Sequence, residues 1–426
     1  MIEILYTYVD CTHKLGTCTE DNDGAEERSS DRVPPTGRHG MTLHCVIALD
    51  TFKGSLTAAE ATAALGAGLR DAGSATVELP VADGGEGTVD AVVAAGYGRI
   101  RRAVCGPTGE PVQASIAVRG YTAVVELAEA AGLQRLPGGR PAPLTATTYG
   151  AGELVRAALD AGTREVILAV GGSATVDGGA GLLQALGARL APATGGPLGP
   201  GGGALRDLAA VDLSELDPRL RRVDVVLAAD VDNPLLGPSG AAAVYGPQKG
   251  AGPADVAALD EGLARWATLL GAAAGRDVAA APGAGAAGGA GFAALAALGA
   301  VRRPGIDVVL DVLELDDALA ELAAEVAGGA LVVVGEGSLD AQSLRGKAPV
   351  GVAARARAHG LPVVAVAGRV ELTAAQLRAA GIDAAYALTD LAPDIETAIR
   401  TAPQLLRQLG GQLAARWAAE PKETLA

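Results

Sequence analysis

The sequence predicts an α/β protein built on a parallel sheet that a large insertion interrupts. Three observations carry this. From Met41 onward, short apolar runs alternate with helical segments. Several of those runs end at their carboxyl side in a Gly-rich or acidic turn. Two strand-plus-helix units at the start are matched by three strands near the end, and the middle is patterned differently.

The first strand is HCVIALD (44–50). Thr57 to Arg70 reads as a helix, with Thr57 as N-cap and Glu60 three residues on, a capping box. The strand VELPVAD (77–83) follows, then a helix from Glu86 to Ala95. In the middle, VQASIAV (112–118) and TAVVELAE (122–129) read as hairpin-connected strands. A helix over Ala151 to Leu159, the strand EVILAVGG (165–172) and a Gly/Pro-rich loop at 192–203 come next. The strand VDVVLAADV (223–231) precedes a helix over 253–270. Beyond a Gly-rich run at 283–291 lie three further strands, LVVVGEG (331–337), PVVAVAGRV (362–370) and AAYALTD (384–390). The two opening and three closing strands make one five-stranded sheet. At 426 residues the chain is long enough for two or three domains.

Hydrophobic residues make up 49% and charged residues 19%, which supplies buried cores and excludes general disorder. A net charge of −15 opposes a nucleic-acid partner or an anionic membrane surface. Cys11, Cys18, Cys45 and Cys105 form no CxxC pair, and a disulfide framework does not suit this length. Reduced thiols in the cytoplasm are the simpler reading. The N-terminus lacks a basic n-region and an apolar h-region, so no secretory signal is expected. Val278 to Val301 is uncharged and of membrane-spanning length, but it is mostly Ala and Gly with Pro282 near its start. It reads as a Gly-rich loop and a short buried helix. Residues 1–42 are polar, acidic and poor in Ala, unlike the rest, and read as a disordered extension or a start codon placed too far upstream.

The composition is skewed toward Ala, Gly and Arg, with 29 Arg against five Lys. Under that bias, a retained Lys suggests a site that wants a compact ammonium rather than a guanidinium fork. Away from the chain ends only Lys53, Lys249 and Lys347 remain, each beside a Gly. Chance is the bland alternative, since the chain has 60 Gly.

The Gly-rich or acidic strand ends are ALDTFKGS (48–55), PVADGGEGT (80–88), AVGGSATVDGGAG (169–181), AADVDNPLLG (228–237) and VVGEGSLD (333–340). Ligands of open α/β sheets bind at this edge, where glycine lets backbone N–H groups approach phosphate. No P-loop is present: Ala341 and Ala348 stand where Lys347 would need Gly and Ser/Thr partners. Gly283, Gly285 and Gly288 form GxGxxG, but behind Ala281-Pro282 rather than a strand, so the dinucleotide context is missing. No Cys–His or GxSxG arrangement exists. Carboxylates, Lys, hydroxyls and backbone amides are left, a set that suits phosphoryl transfer.

These blocks, together with DTFKGSLTAAEA (50–61), ELAEAAGLQRL (126–136), TTYGAGELVRAAL (147–159), DVDNPLLGPSGAAAVYGPQKGA (230–251) and GEGSLDAQSLRGKAP (335–349), resemble the type-I glycerate kinases in order and wording. The likeness runs from about Val46 to Arg369 and continues weakly beyond. Two small departures are Thr51, where Ser is usual, and Leu49, where Pro is common. The resemblance implies a discontinuous flavodoxin-like domain (43–98 and 327–420) and an inserted α/β domain (99–326) shaped like restriction endonucleases. It also implies ATP as donor, Mg²⁺ as cofactor and D-glycerate as acceptor, with 2-phosphoglycerate favoured over 3-phosphoglycerate.

The residues expected to do this are Lys53, Asp83 and Asp230 in catalysis. Lys53 is assigned to phosphate or carboxylate. Asp83 is assigned either to the hydroxyl proton or, equally, to capping the following helix. Asp230 and Asp232 lie two apart at a strand end, where an extended backbone would aim both at one Mg²⁺; the turn at Asn233-Pro234 is the structural alternative. Glu336 and Asp340 are further metal or base candidates. Substrate and nucleotide contacts are expected from Ser55, Gly84, Gly85, Glu86, Gly87, Gly171, Gly172, Ser173, Thr175, Asp177, Asn233, Lys249 and Lys347. Arg70, Arg156 and Arg355, inside helices, are expected to be solvated surface charge. A non-catalytic protein that binds a sugar acid, or a kinase for another small hydroxy acid, are the alternatives.

Overall fold

The computed structural model describes residues 42–324 and 329–417; the expected extension at 1–42 lies almost wholly outside them. The chain opens with β1 (His44–Leu49), α1 (Ala58–Asp71), β2 (Ala75–Glu78) and α2 (Thr88–Ala94). Then come β3 (Gly98–Cys105), β4 (Pro111–Arg119), β5 (Thr122–Glu126), α3 (Leu127–Ala131), α4 (Tyr149–Asp160), β6 (Glu165–Ala169) and α5 (Ala180–Ala185). A small antiparallel pair, β7 (Arg189–Pro192) and β8 (Leu208–Asp212), precedes β9 (Asp224–Ala228), α6 (Ala241–Tyr245), α7 (Pro253–Ala274) and α8 (Ala286–Ala297). The middle closes with β10 (Val301–Arg303), α9 (Gly305–Val312) and α10 (Leu315–Ala324). Last are β11 (Ala330–Leu339), α11 (Ala348–Ala358), β12 (Val363–Val370), α12 (Ala374–Ala379), β13 (Ala384–Ala387), α13 (Ile395–Arg400) and α14 (Ala402–Trp417).

The expected five-stranded sheet is present, all parallel, in the order β13-β12-β11-β1-β2. A second sheet runs β10-β9-β6-β5-β4-β3, parallel from β10 to β5 and antiparallel through β4 and β3. The fold is therefore α/β, with the first sheet assembled from both ends of the chain. The edge strand β3 escaped the sequence reading because its GRIRRAVC carries three arginines and little apolar alternation.

Strand alternation sorts side chains into three apolar layers. Cys45, Ile47 and Leu49 of β1 face one way, against α1 and α14. Those two helices meet closely: a Cβ on Gly68 would come within 1.9 Å of the Arg407 carbonyl oxygen. Val46 and Ala48 face the other way, into a layer shared with Val89 of α2, Ile306 of α9, Leu319 of α10 and Val352 of α11. Val124, Ile167 and Ala228 of the second sheet join this same layer, so it is sandwiched between the two sheets. The far side of the second sheet is covered by α4, α5, α7 and α8, around the fully buried Trp266, whose indole N–H donates to the Gly178 carbonyl at 2.8 Å.

The capping box of α1 forms as expected: Glu60 N–H donates to Thr57 Oγ1 at 3.2 Å, and Thr57 N–H to Glu60 Oε2 at 2.9 Å. Arg355 is not solvated surface charge. Its side chain is 18% exposed and bridges Asp311 and Asp316, each at 2.7 Å, clamping α11 to α9 and α10. Among the described residues no helix is long and apolar enough to cross a membrane, and the Val278–Val301 stretch folds as a loop leading into the buried α8.

Candidate active site

The carboxyl edges of the two sheets meet around a cleft of about 260 Å³. Asp83, Gly84 and Gly85 enter from beyond β2, Val170 to Ser173 from beyond β6, and Ala229 to Val231 from beyond β9. The meeting works because the turns are glycine. Gly171 N–H donates to the Gly84 carbonyl at 3.2 Å, and a Cβ on Gly171 would lie 2.5 Å from Gly85 Cα. Gly84 also packs closely on the first residue of α9, where its Cβ would sit 3.0 Å from Gly305 Cα. Ala287, held at φ 51°, also borders the cleft; left-handed backbone in a non-glycine residue is the strain that functional sites concentrate.

Lys249 is the cation of this cleft. It is 3% exposed, and Nζ donates to Ser173 Oγ and to the Thr175 carbonyl, both at 2.7 Å. Burial pushes its pKa down to about 7, only partly opposed by the charge of Asp177. Tyr245 closes the far wall, its hydroxyl donating to Asn233 Oδ1 at 2.7 Å, while Asn233 Nδ2 donates to the Ser239 carbonyl. Asn233 thus shapes the wall by tying its loop to α6.

The acids divide by environment. Asp230 Oδ1 accepts the Gly305 N–H at 2.6 Å, capping α9, and this leaves Oδ2 available. Its pKa is pushed up to about 6, chiefly by burial and then by Asp83. Asp83 borders the cleft and accepts the Gly85 N–H at 3.2 Å. Asp50, directly beyond the central strand β1, was missed by the sequence reading. Burial, the charge of Asp83 and, less strongly, that of Glu336 push its pKa up to about 7. The signal was available: ALD ends a strand as VAD does.

Other expected residues fall elsewhere. Asp232 is 75% exposed and pairs with Arg302 at 2.6 Å, a guanidinium whose charge also acts on Asp230; the backbone is not a strand there, so the expected alternation does not aim the two at one ion. Asp177 is sealed in, accepting from the N–H groups of Thr148, Gly179 and Gly181 and from the Thr148 hydroxyl. Its carboxylate is committed to the loop before α5. Thr175 is fully buried and its Oγ1 has no hydrogen-bond partner. Gly87 opens α2 and donates to the buried Glu126, while Glu86 is exposed. Glu336 is 7% exposed, with Lys347 Nζ 3.5 Å from Oε2 and no hydrogen-bond partner on Oε1. Asp340 accepts from Gln342 N–H at 2.7 Å in the turn that follows β11.

Lys53 and Ser55 line a second opening of about 250 Å³, at the carboxyl edge of the first sheet. Lys53 is exposed, and Ser55 Oγ donates to the Ile399 carbonyl at 2.8 Å. Asp83 borders the first opening, Glu336 directly precedes Gly337 of the second, and the charges of both act on Asp50.

Residues 45–418 match the sequence model of the glycerate kinase family. Over 378 residues the chain is 44% identical to a Bacillus subtilis protein named glycerate kinase, spanning 88% of this chain and 97% of that one. An Escherichia coli K12 protein named glycerate 2-kinase is 42% identical over 365 residues, 84% of this chain and 94% of that one. A crystal structure of a protein provisionally named glycerate kinase 2, from Salmonella typhimurium LT2, superposes with a TM-score of 0.76 at 41% identity, covering 88% of this chain and 98% of that one. The chain belongs to the glycerate kinase family.

Proposed function

We propose that this member of the glycerate kinase family transfers the γ-phosphoryl group of ATP to a hydroxyl of D-glycerate, giving 2-phosphoglycerate. The names of the Bacillus subtilis and Escherichia coli relatives support the substrate, and the latter supports the 2-position. The observation that carries the reading is the cleft itself. A buried ammonium, Lys249, sits among glycine turns and Ser173, opposite two carboxylates, Asp83 and Asp230.

Lys249 and the backbone amide of Gly172 grip the anion, either the glycerate carboxylate or the incoming phosphoryl oxygens. Asp230 is the group suited to accept the hydroxyl proton, since a carboxyl near pKa 6 is matched to neutral pH and Oδ2 is available. Asp83 fixes the Gly84–Gly85 turn and, by its charge, helps hold Asp230 in that range. Of the discontinuous domain (43–98 and 327–420), the Asp83–Gly85 turn reaches the cleft, and the inserted part at 99–326 supplies the rest of its lining.

Among the described residues no group of three acids, His or Cys forms a dedicated metal cage. The donors do fit a Mg²⁺ that arrives on ATP, because such an ion takes one or two carboxylates and fills its other positions with phosphate and water. Glu336 has a buried, unpartnered Oε1, and Asp50 stands against the like charges of Asp83 and Glu336, so one or two of these three acids would hold it. Bound there, it would neutralise the β- and γ-phosphates. Cys45 and Cys105 are free thiols, which suits an ATP-using enzyme of the cytoplasm.

The test is ATP consumption with D-glycerate, L-glycerate, glycolate and D-lactate, followed by NMR identification of the product. Turnover with D-glycerate and a 2-phospho product is expected. Turnover only with another acid, or binding without turnover, would overturn the reading.

A further inference from the structure

The 250 Å³ opening beside Lys53 is a slot built from the carboxyl ends of four neighbouring strands. Phe52 and Lys53 follow β1, Gly337 and Ser338 end β11, Gly368 and Arg369 end β12, and Leu388 and Thr389 follow β13. Chain order reverses between β1 and β11, and it is at such a switch point that open α/β sheets bind ligands. We propose that this slot seats the adenine and ribose of ATP; the inference rests on the kinase reading above and says which part of the molecule holds the nucleoside.

The two openings are nearly equal in size. Neither 260 nor 250 Å³ reaches the roughly 300–1,000 Å³ of pockets that enclose a drug-sized ligand. ATP and a hydroxy acid together need both. Wall chemistry then assigns them. The Lys249 cleft offers an ammonium, glycine amides and carboxylates, which suit an acid and a phosphoryl group. The slot has apolar walls, with Phe52 and Ala398 buried and Ile395 and Ile399 left 57% and 48% exposed. Part of its floor is backbone alone: a Cβ on Gly368 would come 2.5 Å from the Gly337 carbonyl oxygen, and one on Gly337 would lie 3.0 Å from Lys53 N. A floor without side chains between exposed isoleucines fits a planar base.

Charge sets the direction. Lys53 and Arg369 both line the slot, and Arg369 reaches Glu371 at 2.9 Å and Ser338 Oγ at 3.5 Å. A triphosphate leaving the slot passes these cations, crosses Gly337, and arrives beside Glu336, Asp50 and Asp83, the acids suited to its Mg²⁺. The γ-phosphoryl group then enters the Lys249 cleft through the Asp83–Gly85 turn that borders it.

The test uses the full chain and ADP, whose binding is read by calorimetry without turnover. Ile399→Glu puts a charge on the slot wall and keeps the backbone carbonyl that Ser55 uses. It is expected to weaken ADP about tenfold, the loss of one apolar side-chain contact, and to raise the KM for ATP in step. The KM for glycerate and the Tm should stay close to the parent values. In isoleucine-methyl-labelled protein, ADP should shift the Ile395 and Ile399 signals. ADP affinity unchanged in Ile399→Glu but lost in Tyr245→Ala would place the base in the other cleft and overturn the proposal while leaving the kinase reading intact. A parent chain that binds no ADP would sink both.

Discussion

Gly171 donates its backbone N–H to the Gly84 carbonyl at 3.2 Å, and at this bond the carboxyl edges of the two sheets touch. Gly171 does not need glycine for its φ; it needs it for space. In Gly171→Ala the new methyl would stand 2.5 Å from Gly85 Cα and 3.3 Å from the Gly84 oxygen, both main-chain atoms that cannot rotate away. Overpacking of this kind costs about 1–3 kcal/mol. Chemical denaturation should show that loss, and kcat/KM should fall further because the turn holding Asp83 is displaced. A variant as stable and active as the parent would show that the two turns do not need this approach.

Asp230 has two separable tasks. As a cap it needs only an acceptor for Gly305 N–H; as a base it needs a proton affinity. Asp230→Asn keeps the first and removes the second. Stability should therefore change little, and kcat should fall by about 10²–10⁴, the usual worth of a general base. Asp230→Ala should lose the cap as well, about 0.5–2 kcal/mol. Near-parent kcat in the Asn variant would move the base to Asp83 or Asp50.

Much of this was legible beforehand because local and global signals agree along the first sheet. The Thr57 capping box, the apolar strands and the acidic turns are each encoded within about ten residues. What could not be read is what depends on contacts distant in sequence. Asp230 and Asp232 look like a pair on paper, yet one caps α9 some 75 residues away and the other leans on Arg302. Asp177 looks like a ligand and is consumed by Thr148, 29 residues before it. The slot is invisible in the sequence because no run of residues contains it; four strand ends, from Phe52 to Thr389, must first be brought side by side.

Lys249 makes stability depend on pH. In the folded chain its pKa is pushed down to about 7 from an ordinary 10.5, because burial disfavours the charged ammonium. Between those values the unfolded chain holds a proton that the folded chain does not, so this group's contribution makes stability rise with pH from about 7 to about 10.5. Lys249→Met should remove that component, which urea midpoints at neutral and alkaline pH will show. Anion binding should recharge the ammonium and take up a proton at mildly alkaline pH. Calorimetry in buffers of different ionisation heat reads this uptake, and no difference between parent and variant would refute the assignment.

Residues 1–40 should be dispensable, since the family match begins at residue 45 and their composition differs from the remainder. A chain started at Met41 should keep its Tm and its kcat/KM. Insolubility or lost turnover would place the boundary further upstream.

The three retained lysines should separate under Lys→Arg, and the structure gives the order. Lys249 is 3% exposed with its two acceptors at 2.7 Å, so a longer, planar guanidinium has no room. Lys249→Arg should cost about 1–3 kcal/mol of stability as well as activity. Lys347 precedes α11 and stands 3.5 Å from Glu336 with 31% of its side chain exposed. Arg can make the same pair there, so stability should hold while any phosphate contact is misplaced. Lys53 is exposed, and its replacement should stay within about 0.5 kcal/mol of parent stability. If Lys53 meets the triphosphate as a point charge, an ångström of misplacement will still cost about 100-fold in kcat/KM for ATP, with little change in the KM for glycerate. Lys→Arg at Lys53 with undiminished kcat/KM would mean that any cation serves there. It would also show that its survival in an arginine-rich chain was accidental.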